Sequence, residues 1–291
     1  MTTSTGKTHA GTNSRGATSR RYFYRGTALR DQWDKLHRCD REPWPDAPWI
    51  ASLVHGQRPA AAELKTLGGA LPVATQLQEA WRAFHAGEYS HAIGRGVKLG
   101  PFGAAVASKA AAVQSLSAGQ GGAAVLELLT SAAARGEQAA SLLPGYVNAH
   151  YTLALVLGRY AQHISILRAL AEGLAGRVES RLRRTLELEP GHAEAHVALG
   201  LYQAEIIHHV GMLAGLAYGV SVKAALEHLQ RAQRLAPASP VIAVEHARGL
   251  MLLDETVHRD EAVALHEQAS RCEPRDAMEA LYVERARTAP T

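Results

Sequence analysis

The chain has 291 residues, 47% of them hydrophobic but only 5% aromatic, with two cysteines and a formal net charge of +4. Residues 1–30 hold six of the basic side chains and no acidic one, so the rest is nearly balanced and lacks the basic stripe of a nucleic-acid-binding body. Cys39 and Cys272 are far apart with no CxxC, which indicates neither a disulfide scaffold nor a zinc ribbon, and two reduced thiols are expected; no apolar run is long enough to span a membrane.

The start, MTTSTGKTHAGTNSRGATSRR, is polar, without the apolar region of a secretory signal. It is expected to be a flexible basic arm over 1–26, and a cytoplasmic protein is expected. TALRDQWDKLHRCD (27–40) predicts a short amphipathic helix using Leu29, Trp33 and Leu36. EPWPDAPW (42–49), with three prolines, is expected to be extended, its tryptophans packing across the end of the following body. A capping segment is therefore set at 27–58, a helical body at 59–275, and a C-terminal cap and tail at 276–291. GGALP (68–72) is expected to be a loop, and GQGGAA (119–124) a turn without the GK[ST] of a phosphate cradle.

From there the chain repeats. VKLGP, SLLP, LELEP, QRLAP and SRCEP each end a helical run on a proline, and the prolines are separated by 43, 46, 47 and 37 residues. Proline stops a helix because it lacks the amide hydrogen and restricts the residue before it. AHYTLA (149–154) precedes AHVALG (195–200) by 46 residues, and LRALAEG (167–173) precedes LAGLAYG (213–219) by the same offset. Ala and Leu dominate and dense Val/Ile/Tyr alternation is absent, so the units are read as helical hairpins. A hairpin cannot bury its apolar face alone; stacking on its neighbour completes the core.

In ALEHLQRAQRLAP, Ala225, Leu229, Ala232 and Pro237 stand at relative positions 0, 4, 7 and 12. This resembles the second helix of a tetratricopeptide repeat. The last unit keeps Ala262, Ala269 and Pro274, with His266 in the bulky slot. The third keeps Leu182 and Pro190, with Val178 and Thr185 replacing the alanines. Gly87, Tyr89 and Ala92 resemble the central turn. The resemblance spans roughly residues 75–275 and implies an all-α, TPR-like α-solenoid. Its repeats exceed the family's length of about 34 residues, with the excess around 159–176 and 205–222, so lengthened helices or added turns are expected. The AHxxLG unit starts and the YG before the closing helix also resemble the T-component proteins of TRAP-type transport systems. That family implies pores or grooves and a solute-binding protein as partner, although its known members carry export or lipoprotein signals.

Fifteen histidines invite a metal reading. His208, His209 and Met212 lie close together, but adjacent helical residues point about 100° apart. His192/His196 and Glu205/His209 have four-residue spacing with no third ligand fixed, so packing is the expected role and no metal or cofactor is assigned. No GxSxG and no cysteine–histidine pair at a catalytic spacing occurs, so no catalytic residue is assigned. The TPR resemblance implies that first helices supply the inner wall, which makes His150, Tyr151, His196, Tyr202 and Glu205 candidates. His163 and His209, again 46 apart, join Glu205, Tyr160 and Tyr218 as candidates for a groove beside the lengthened helices. The expectation is a non-catalytic scaffold binding a protein or peptide on its concave face, with self-association left open. The alternatives are a small organic ligand or transport-associated component with a pocket between long helices, and an enzyme with a histidine-rich pocket.

Overall fold

Fourteen helices and one 3₁₀ turn, and no strand, make up the described residues of the computed structural model, which are 22–116, 122–211 and 219–289, with the backbone alone at 166, 167 and 170. The expected arm therefore lies largely outside the described residues. Its last residues correct that expectation: Tyr22 is buried and the Tyr24 hydroxyl donates to the Arg275 carbonyl.

Helix α1 (Ala28–Leu36) buries Leu29 and Trp33, as its amphipathic spacing predicts. Residues 42–46 are non-helical, but the expectation of an extended EPWPDAPW fails at its end. Asp46 accepts from the Trp49 amide and caps α2 (Ala47–Leu53), with Pro48 in the first turn where its missing N–H costs nothing. GGALP is likewise only partly a loop: α3 (Arg58–Thr66) stops before Gly68 and Gly69, whose φ values of 89° and 95° suit glycine, and α4 (Ala70–His85) begins at once.

Stacked hairpins follow. Gly87, with φ of 81°, turns α4 into α5 (Tyr89–Val97). A 3₁₀ turn over Gly100–Gly103 leads to α6 (Ala104–Ser115), whose partner is α7 (Ala123–Leu142). Part of the predicted turn at 119–124 lies outside the described residues. Next come α8 (Val147–Gln162), the short α9 (Ile166–Ala171) and α10 (Leu174–Leu188), so one expected insert forms an additional turn of helix. Helix α11 (Ala193–Val210) pairs with α12 (Val222–Leu235), and the segment between them lies mostly outside the described residues. Helix α13 (Pro240–Ser270) is interrupted at Asp254, where φ of −164° and ψ of 103° break it into a further hairpin, and α14 (Ala277–Thr288) ends the array.

The TPR-like spacing has a steric cause. Ala225, Leu229 and Ala232 are fully buried, and Leu229 is clasped by two helices that approach through glycine. A Cβ on Gly200 would lie 2.8 Å from Leu229 Cγ, and one on Gly249 would lie 2.9 Å from Leu229 Cδ1.

The ends of the array meet. One core cluster joins Leu29, Trp33, Trp81 and Phe84 to Val241, Val244, Met278 and Tyr282. Helix α14 packs on α4, and Arg275 donates to the Lys35 carbonyl. Among the described residues no helix is long and apolar enough to cross a membrane.

Candidate functional site

A cavity of about 620 Å³, open on one side, lies between α8, α10, α11, α13 and α14. Leu155, Leu174, Val178, Leu182, Leu201 and Ile206 supply apolar lining. The lone charges in apolar helical runs supply the polar part. Arg159, from the run LALVLGRYA, is buried and donates to Glu245 Oε1 at 2.9 Å and the Tyr282 hydroxyl at 3.1 Å. Tyr282 in turn donates to Glu245 at 2.7 Å. Burial works to raise the Glu245 pKa, but Arg159 and Arg248 outweigh it and hold the carboxyl down at about 2. Glu205 accepts from Gln162 Nε2 at 3.1 Å and from Arg248 at 2.5 Å, tying three helices along the lining.

A second polar cluster backs this wall. Lys109 is buried at the middle of the Ala-rich α6 and donates to Asp40 Oδ2 at 2.6 Å and to Glu194, whose Oε2 lies 2.9 Å away. Tyr151 donates to that same Glu194 oxygen at 2.8 Å. Burial pushes the Lys109 pKa down, yet Asp40 and Glu194 more than reverse it, so the ammonium stays charged. The segment carrying Asp40 turns two carboxylates, Asp40 and Glu42, inward while Arg41 between them stays exposed. Its Glu42 accepts from the Tyr146 hydroxyl and from Asn148 Nδ2, both at 2.6 Å, and burial pushes its carboxyl up to about 8. His192 caps α11: its Nδ1 accepts from the Ala195 amide at 2.9 Å, so its Nε2–H donates to Asn148 Oδ1 at 3.0 Å.

Of the residues marked in the sequence, the cavity brings together Tyr151, His163, Tyr202, Glu205 and His209. His150 and His196 are not brought there: His150 Nε2 donates to the Pro144 carbonyl at 3.1 Å, and His196 pairs with His228 at 2.9 Å. Both side chains are spent on holding repeats together. Tyr218 and Met212 lie outside the described residues. Among the described residues no group of three or more His, Cys, Asp or Glu could hold a metal ion. Sequence reasoning missed Arg159, Glu194, Gln162, Glu245, Arg248, Tyr282 and Arg285. For Arg159 the available signal was a single charge inside an otherwise apolar helical run.

No family profile and no curated protein matches the chain. Its fold is similar to the crystal structure of TTC0263, a thermophilic TPR protein of Thermus thermophilus, with a TM-score of 0.53 and 18% identity. The match covers 75% of this chain and 100% of the other. The chain therefore has a TPR-like helical-repeat fold, enlarged relative to that protein.

Proposed function

We propose that the chain is a non-catalytic helical-repeat binding protein that draws an apolar part of a protein or peptide partner into the cavity. The observation that carries this reading is convergence. Consecutive first helices, α8 and α11, send Tyr151, Gln162, Tyr202 and Glu205 to one space, the use that helical-repeat scaffolds make of their inner faces. Apolar walls beside a few polar side chains suit anchored apolar groups whose backbone is read by hydrogen bonds. A transport-associated partner, which the T-component resemblance implies, is one form of this reading. The cavity's volume also favours a second one, a small organic ligand, since such sites occupy roughly 300–1,000 Å³.

Gly158 allows a clean test. It lines the cavity, and a Cβ there would meet nothing within 4 Å, so the side chain of Gly158→Leu starts into open space and narrows the cavity. The wild-type chain and Gly158→Leu are compared by native mass spectrometry of freshly purified protein, and by binding to a peptide array and a small-molecule panel. Binding by the wild type and its loss in a variant of unchanged helicity supports the site. Peptide hits favour the first reading and small-molecule hits the second. Equal binding by both proteins rejects the cavity as the site.

A further inference from the structure

Where the two ends of the array meet, four buried side chains form a line that the cavity does not use. His37 Nδ1 lies 2.9 Å from Asp40 Oδ1, the two histidine Nε2 atoms lie 3.2 Å apart, and His85 Nδ1 lies 2.8 Å from Asp276 Oδ2. The four come from the α1 C-cap, the segment after it, α4 and the N-cap of α14. All four are almost wholly buried.

The hydrogen positions follow from what each atom can do. A carboxylate has no hydrogen to give, so each Nδ1 facing one carries the proton. The close Nε2 pair needs a third proton between them, because two opposed lone pairs repel. Two neutral imidazoles carry only two N–H groups. We infer that the line holds one additional proton as an imidazolium at His85, and that this proton latches the C-terminal helix to the N-terminal segment. His85 then donates from Nδ1 to Asp276 and from Nε2 to His37, while neutral His37 donates from Nδ1 to Asp40.

The surroundings fit this placement. Burial pushes His37 down to about 4, against the raising effect of Asp40, which makes its ring the neutral acceptor. Burial works to raise Asp276, but the hydrogen bond and charge of His85 override it and hold the carboxyl below its usual range. Lys109 and Glu194 stand on the far side of Asp40. Arg275 beside Asp276 is taken up by Glu279 at 2.6 Å and so does not supply the missing proton's charge. The Tyr24 ring meets His85 edge-on, the Tyr24 and Tyr89 hydroxyls stay protonated because burial raises both, and Trp33, Trp81 and Phe84 wall the site from water.

The latch bears on the cavity through one carboxylate. Asp276 Oδ2 accepts the hydrogen bond from His85 Nδ1, while Oδ1 accepts from the Glu279 amide at 2.7 Å and starts α14. That helix carries Tyr282 and Arg285 into the cavity lining. The His85–Asp276 hydrogen bond, from a positive donor to a negative acceptor, is stronger than a neutral one and ties the end of α4 to the start of α14. Helix α14 should therefore loosen when the charge on Asp276 is removed, while α8 and α11 do not.

The test uses the full chain with ¹⁵N-labelled histidine. At neutral pH, ring-nitrogen spectra should show His85 protonated on both nitrogens and His37 on Nδ1 alone. Asp276→Asn keeps a good helix cap but removes the charge, and should abolish the second ring proton. Hydrogen-exchange protection across residues 277–288 should fall by about tenfold in that variant, with α8 as the unchanged internal control. A singly protonated His85 in the wild type overturns the latch even if the variant fails to fold. So does α14 protection equal to the wild type's in a folded Asp276→Asn protein.

Discussion

Lys109 is the residue on which the interior charge balance turns. It is the cation that both Asp40 and Glu194 contact in a site closed to water. Removing one member of a buried ionic set leaves its partners' charges uncompensated, which costs about 3–5 kcal/mol. Lys109→Met, similar in length but uncharged, should therefore lose stability of that order in urea unfolding. A loss below about 1 kcal/mol, the level of a surface pair, would mean that water reaches the cluster. Leu229 makes the opposite, apolar case. Clasped between Gly200 and Gly249, it cannot be replaced by neighbours sliding inward, so Leu229→Ala should cost about 2–5 kcal/mol. The two residues also differ in how plainly the sequence shows them. Leu229 stands in a repeated pattern with Ala225 and Ala232. Lys109 stands alone in AAVASKAAAVQS, and nothing local says that its partners lie 69 and 85 residues away.

At the scale of elements, a helix ends within each of the five proline-ended runs, and Pro144, Pro190 and Pro237 stand just past the last helical residue, where a proline stop acts locally; Pro101 instead lies in the 3₁₀ turn that follows its helix. The enlarged repeats are also legible: the offset of 46 residues between units fixes where the extra length falls, and α9 fills one such place. Starts are less visible. Pro48 suggested extended chain and Pro72 a loop, but both sit in first turns, where a helix accepts them. The hairpin hidden in α13 is subtler still. Asp254 leaves helical geometry and its Oδ1 accepts from the Val257 amide at 3.1 Å, so it caps the second half. Asp254→Ala should lower stability by about 0.5–2 kcal/mol, whereas Asp254→Asn, which keeps the acceptor, should change little. Equal losses in the two variants would show that charge, not capping, matters there.

Closure of the whole molecule has no local signature, because it joins residues such as His85 and Asp276 that are 191 positions apart. Periodicity predicts that hairpins stack, but whether the stack returns to its own start depends on the small rotation between repeats. The candidate residues divide along the same line. Tyr151, Tyr202 and Glu205, which the TPR resemblance marks as first-helix positions, line the cavity. The groups that meet them from Glu245, Arg248 and Tyr282 arrive only through closure. Segment 37–42 is likewise held at the centre by partners distant in sequence, and Glu42 gives that placement a measurable consequence. Its carboxyl rises from an ordinary 4.5 to about 8 on burial, so the folded chain binds this proton more tightly than the unfolded one. The resulting stability is fully present below the unfolded value and is lost as pH climbs through the folded one. Gln at this position cannot ionise, and its amide can accept from Asn148 and donate to the Tyr146 oxygen, as the protonated acid would. His37 and His192, pushed down to about 4 and about 3, weaken both proteins alike as the medium turns acidic. The difference between the two proteins therefore isolates Glu42. Glu42→Gln should gain steadily on the wild type between about pH 5 and about pH 8, read as the shift in urea midpoint at each pH. A constant difference across that range would mean that Glu42 reaches water, and that the central segment is less enclosed than its partners imply.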